Sequence, residues 1–209
     1  MTGESIVHIP ACGATLEGAL AVPERPAGIV LFAHGSGSSR HSRRNQFVAA
    51  ALRDAGVGTL LFDLLAPEED ADDERRFDIP LLTRRLEAAT EWLEASQPPT
   101  PLGYFGASTG AAAALAAAAG LGARIRAVVS RGGRPDLAAD DLPRVRAATL
   151  LIVGARDEEV LELNRRALER LACERELIVV PGATHLFEEP GALEAVAEHA
   201  ASWFARHLA

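Results

Sequence analysis

The chain has 209 residues, 48% apolar and 24% charged, enough for a single domain (1–209) with a substantial core. A formal charge of −8 disfavours binding to nucleic acid or an anionic membrane, and all 21 basic residues are arginine, which excludes Schiff-base, pyridoxal and P-loop lysine chemistry. Cys12 and Cys173 lie far apart without CxxC spacing, so neither a disulfide framework nor a zinc site is expected, and the start "MTGESIVHIP" lacks the features of a signal peptide; a cytoplasmic protein is the expectation.

In chain order, "SIVHIP" and "TLEGALAV" alternate around "ACGA" and predict an antiparallel hairpin. After Pro23 and Pro26 the texture changes. "GIVLFA", "GTLLFD", "LGYFGA", "IRAVVS", "ATLLIVG" and "ELIVVP" are short continuous apolar runs, the pattern of strands buried on both faces of a parallel sheet. Helical stretches over 43–55, 78–95, 109–119, 158–172 and 191–207 separate them. The alternation predicts a doubly wound α/β fold with a mostly parallel eight-stranded sheet, helices on both faces and no internal repeat.

Ligands of such sheets bind beyond the carboxyl ends of the strands, so the residues after each run carry the functional information. "HGSGSSRHSRRN" follows the first parallel strand, Ser108 in "GASTG" the third, Asp157 in "VGARDEE" the fifth, and His185 in "PGATHLF" the last. Ser108 sits in Gly-x-Ser-x-Gly between a strand and an alanine-rich helix, the pattern of a nucleophile elbow. A serine hydroxyl needs an imidazole to take its proton and an acid to orient that imidazole. Of six histidines, His8 falls in the hairpin, His199 and His207 on the last helix, and His34 opens the glycine loop as a backbone brace. His185 alone follows a buried strand on a glycine-containing loop, which makes it the candidate base. Asp157 is the favoured acid, with a helix cap as its ordinary reading, Glu158 as a near rival and Asp136 as a distant one. The oxyanion donors are expected from the backbone N–H groups of Thr109 and Ser36.

From Gly28 onward, "AHGSGSSRHSRRN", "YFGASTGAAAALAAAA", "AVVSRGGRPDL", "TLLIVGARDEEVLELN" and "VPGATHLFEEPGALE" resemble the α/β-hydrolases, and within them the small capless group related to dienelactone hydrolase. The resemblance implies an α/β-hydrolase fold without a lid domain and a serine esterase activity that needs no metal or other cofactor. True dienelactone hydrolases use cysteine at the elbow where Ser108 stands, so their substrate does not carry over. Some bacterial proteins resembling this chain carry a fused phosphoribosyltransferase domain, and no such segment is expected in these residues. Only "RGGRPDLAADDLPRVR" separates two of the strands, too little for a helical lid, so an open site for small or short-chain esters or lactones is expected. A thioesterase, a small peptidase, or a ligand-sensing protein with slow turnover would use the same residues.

Five arginines follow strand ends near this site. The carboxylates of "PEEDADDERRFD" are candidates to pair with Arg40, Arg43 and Arg44, whereas Arg131 and Arg134 have fewer acids near them in sequence, Asp136 apart. The planar fork of Arg131 or Arg134 suits an anionic group on a small ester or lactone substrate.

Overall fold

The computed structural model describes residues 3–209 and gathers all eight predicted strands into one sheet. β1 (Ser5–Ala11) and β2 (Ala14–Ala21) pair antiparallel through the two-residue turn Cys12–Gly13, whose φ values of 47° and 82° match the twist of a tight hairpin. β3 (Ile29–Ala33), β4 (Gly58–Phe62), β5 (Leu102–Ala107), β6 (Ile125–Arg131), β7 (Ala148–Gly154) and β8 (Arg175–Val180) follow in the order β1-β2-β4-β3-β5-β6-β7-β8. β2 runs antiparallel to β4, and every later pairing is parallel.

The continuous apolar runs are explained by burial on two faces. Leu31, Leu60, Tyr104, Val128 and Leu151 face one layer, built from α4 (Ile79–Ser96), α5 (Thr109–Leu121) and α6 (Glu158–Arg170). Val30, Phe32, Phe105, Val129 and Ile152 face the other, built from α1 (Arg43–Asp54) and α7 (Ala192–Leu208). The alanine-rich α5 is buried nearly all round, from Ala111 through Leu115 and again at Ala117 and Ala118. Small side chains let it lie close to the sheet and to α4 at once, which accounts for its lack of an amphipathic stripe.

Two elements depart from the expected loop. The acidic stretch after β4 folds into the one-turn helices α2 (Pro67–Asp70) and α3 (Asp73–Arg76), with Pro67 at the first helical position and Asp72 accepting from the Glu74 N–H at 2.9 Å. Four residues are too few to show a helical period in sequence. Between β6 and β7 there are only two 3-10 turns, Pro135–Ala138 and Leu142–Arg144, so no lid is inserted there. From β3 the chain moves outward to β4 and then returns to the other side of β3 to make β5. The topological switch therefore lies at the carboxyl ends of β3 and β5, where such folds hold their ligands.

Candidate active site

Ser108 stands at that switch point, between β5 and α5, with φ 51° and ψ −120°. A non-glycine residue takes this conformation only when its surroundings fix it. Here three main-chain hydrogen bonds do so. The Ser108 N–H donates to the Arg131 carbonyl at 3.2 Å, and the Ser108 carbonyl accepts from Ala111 and Arg134 at 3.1 Å each. The flanking glycines are required by crowding. A Cβ on Gly106 would lie 2.4 Å from the Ala111 Cα, and one on Gly110 would lie 2.2 Å from the Ala33 carbonyl oxygen. The two glycines let helix, β3 and β5 meet closely enough to hold the serine in a sharp, strained turn.

His185 and Asp157 arrive from β8 and β7. The His185 Nδ1 lies 2.6 Å from the Asp157 Oδ2, with Asp157 largely buried and His185 partly open to solvent. An ionised carboxylate only accepts, so Nδ1 carries the proton and Nε2 is left with its lone pair. Asp157 occupies the N-cap position of α6, yet its side chain caps no helix N–H. Its carboxylate is committed to the histidine. Glu158 is exposed in the first turn of α6, and Asp136 is held by Arg134, so neither rival is joined to His185. The histidine loop is closed by the Phe187 N–H on the Thr184 carbonyl at 3.2 Å and by Glu189, whose Oε2 accepts the Thr184 N–H at 3.1 Å. Those hydrogen bonds hold the Glu189 carboxyl below the usual carboxylate range.

The loop after β3 runs against Ser108; a Cβ on Gly35 would touch the Ser108 Cβ at 3.0 Å. The Ser36 N–H donates to the Thr109 Oγ1 at 2.9 Å, which ties the loop to the first residue of α5. The N–H groups of a helix's first turn lack intrahelical partners, so the Thr109 backbone N–H is available to a ligand. His34 braces the loop from behind: its Nδ1 meets the Gly35 carbonyl and its Nε2 accepts the Leu64 N–H, both at 3.0 Å. Burial pushes the His34 pKa down, only partly offset by the Gly35 carbonyl, Asp63 and Asp70.

The arginines sort differently from the expectation. Arg40 pairs with Glu17 on β2 and with Asp63 after β4, and its own N–H donates to the Asp63 Oδ1 at 2.7 Å. Arg44 meets Glu188 at 3.1 Å, and Arg43 is exposed. None of the three pairs with the 67–78 stretch. Its carboxylates are taken by nearer partners, Asp70 and Asp73 by Arg76 and Glu69 by Arg75 and the buried Arg85. Arg134 forks onto Asp136 at 2.9 and 2.7 Å, an ordinary internal pair. Arg131 alone of the five is buried without any such partner among the described residues.

Sequence reasoning missed the Thr109 hydroxyl, Glu189, and Asn164, a buried side chain of α6 whose amide donates to the Gly133 carbonyl at 2.9 Å. The first and last act across 73 and 31 residues of chain, where no local pattern points, and Glu189 reaches back five residues within the histidine loop. A concavity of about 180 Å³ lies beside the β3 loop, lined by His34, Ser38, Ser39, Asp63, Leu65, Pro67 and Asp70. A wider one of about 860 Å³ lies at the opposite, amino end of the sheet, lined by Gly120, Arg144, Arg146 and Cys173 among others. It is far from the residues described above, and the placement of Ser108 and of the joined His185–Asp157 pair after β5, β8 and β7 favours the carboxyl end. Among the described residues, no three His, Cys, Asp or Glu side chains gather closely enough to ligate a metal ion. No helix there is long and apolar enough to cross a membrane.

Residues 26–208 match the family model described as an alpha/beta hydrolase domain. A dienelactone hydrolase from Anabaena variabilis superposes with a TM-score of 0.96 at 52% identity, covering 100% of this chain and 99% of that one. An α/β serine hydrolase without lid from Xanthomonas campestris superposes with a TM-score of 0.82 at 24% identity, over 99% and 95% of the two chains, a likeness of fold. In sequence, a Mycobacterium tuberculosis protein named "Putative phosphoribosyl transferase" is 60% identical over 205 residues. That alignment takes in 97% of this chain and 46% of the mycobacterial protein, so the chain spans about half the length of the curated relatives it matches.

Proposed function

The chain belongs to the α/β-hydrolase family, in its lidless, dienelactone hydrolase-like form, and from that premise we propose that it cleaves small or short-chain carboxylic esters or lactones through an acyl-enzyme on Ser108. The observation that carries this reading is the 2.6 Å contact between His185 and Asp157 at the same strand ends as a strained, glycine-flanked serine. In the proposed reaction the Ser108 Oγ attacks the ester carbonyl as His185 Nε2 takes its proton, and Asp157 steadies the imidazolium. The oxyanion is met by the Thr109 N–H and, with its hydrogen bond to Thr109 Oγ1 shared or exchanged, by the Ser36 N–H. His185 then protonates the leaving alcohol, and water activated by the same imidazole releases the acid. A lidless site suits short acyl groups, because long chains need an enclosing apolar groove.

The hydrolase match spans 26–208 of this chain, so we place hydrolysis, rather than the phosphoribosyl transfer in the mycobacterial name, in these residues. A fluorophosphonate probe should label Ser108, and a panel of esters, lactones and thioesters should show turnover that Ser108→Ala abolishes. Labelling at another serine, or turnover that survives the substitution, overturns the reading.

A further inference from the structure

Arg131 ends β6 with its guanidinium folded under the histidine loop. Its Nε and Nη1 are buried without a hydrogen-bond partner, and the residue is 8% exposed. The Phe187 ring lies 5.8 Å from the guanidinium carbon and attracts the charge but accepts no fork of N–H groups. The charged neighbour that acts on it is another cation, Arg44. Arg44 also has a buried, unpartnered Nε, and its Nη1 reaches the exposed Glu188. Arg44 lies in the first turn of the twelve-residue α1, a turn without acidic residues, so the positive end of the helix adds to the two guanidiniums. Burial and Arg44 together push the Arg131 pKa down to about 10, still charged at neutral pH. A buried cation that faces a second cation is a costly arrangement without an anion.

Its position ties it to the chemistry. The Arg131 carbonyl holds the Ser108 N–H, the next residue, Gly132, packs against the His185 ring, and Phe187 is two residues beyond His185. We propose that Arg131 and Arg44 form a subsite for the anionic group, a carboxylate or phosphate, of the substrate acted on at Ser108. This rests on the esterase reading and narrows it to substrates that carry a negative charge beside the scissile bond. Arg134, already matched by Asp136, has no part in it.

Phenyl butyrate and monophenyl succinate test this, since they differ chiefly in a methyl against a carboxylate. The parent should favour the succinate in kcat/KM, and Arg131→Gln should lower that preference about 10- to 100-fold, the range for losing a charge-assisted hydrogen bond. Arg44→Gln, on an accessible helix turn, should lower it in the same direction and guards against misfolding of the first variant. Arg131→Lys should keep part of the preference. A second arm needs no turnover: Ser108→Ala protein titrated with succinate or with inorganic phosphate should melt at higher temperature, and adding Arg131→Gln should remove that rise. An unchanged preference in both glutamine variants overturns the proposal, and it does so even if free phosphate binds, because the anion is then not the substrate's. If no ester is cleaved but succinate still binds through Arg131, the esterase reading fails while the anion subsite stands. If neither anion binds, the subsite fails.

Discussion

On the β3–β4 side of the switch point, positive charge is closed off by carboxylates: Arg40 by Glu17 and Asp63, Arg76 by Asp70 and Asp73, and the buried Arg85 by Glu69. On the β6 side, two strands across the sheet from β3, Arg134 is matched by Asp136, but Arg131 lies against the Phe187 ring with no carboxylate partner among the described residues. The first region uses arginine as mortar. Its pairs fix the β3 loop and the two short helices that wall the site. The second region keeps a cation unspent at the point where the serine strand, its neighbour and the histidine loop converge. The same residue type builds structure where acids surround it and, in the subsite proposed above, is left for a ligand where they do not.

The largest expected effect separates carboxylates rather than arginines. Ser108→Ala or His185→Ala should lower kcat for ester hydrolysis by about 10^4- to 10^6-fold, and Asp157→Asn by about 10^3- to 10^4-fold. Asp136→Asn, which only frees Arg134, should cost less than tenfold by the same reasoning of a distant ion pair. Steady-state kinetics on one short ester decides it. If Asp136→Asn is crippling while Asp157→Asn is nearly silent, the acid comes from the β6 side and the division between the two regions collapses.

The elbow joins both regions, and its tolerance is set by crowding. Gly110→Ala should destabilise the fold by about 3 kcal/mol, the upper part of the range for overpacking, because the added Cβ meets the carbonyls of Ala33 and His34 at 2.2 and 2.4 Å. Urea unfolding measures this. A variant as stable as the parent would mean that β3 and α5 are not pressed together as described.

The arginine comparison itself is sharpened by a pair of stability measurements. Glu69→Gln leaves Arg85, 1% exposed in its side chain, without its carboxylate, and should cost about 2–3 kcal/mol. Arg131→Met removes a buried charge that has no carboxylate partner, and should cost nothing or raise Tm in buffer free of small anions. Equal losses in the two variants would show that Arg131 has a structural partner after all.

Much of this was legible in the sequence because local pattern carried it. The strands were read from apolar runs such as "GIVLFA" and "ATLLIVG", and both sets of helix and strand bounds agree with the structure to within a residue or two. The strand-end positions of Ser108, Asp157 and His185 follow from the same pattern, since the fold delivers strand ends to one edge. What the sequence did not reveal depends on which side chains reach each other in space. Arg40 chose Glu17, on a strand twenty-three residues away, over the acidic stretch because β2 lies against β4 in the sheet. The bond from Ser36 to the Thr109 hydroxyl spans 73 residues, and the contact between Arg131 and the ring of Phe187 spans 56. No period or motif encodes those contacts.

The smallest effect concerns the β3 loop and its brace. Both ring nitrogens of His34 are used, so the neutral ring with Nδ1–H fits, and a proton added at Nε2 would displace the Leu64 N–H. Burial lowers the folded-state pKa below the ordinary 6.5. In the window between that lowered value and 6.5 the unfolded chain therefore binds more protons than the folded one, and stability falls as pH falls through it, while above 6.5 His34 adds no pH dependence. His34→Gln should flatten this acid limb: between about pH 7 and pH 5 its urea midpoint should fall less than the parent's. His207, also lowered by burial, titrates in both proteins and cancels in the difference. Identical acid limbs would mean that His34 changes its charge as freely in the fold as outside it, and the carbonyl and amide contacts assigned to its two nitrogens would have to be withdrawn.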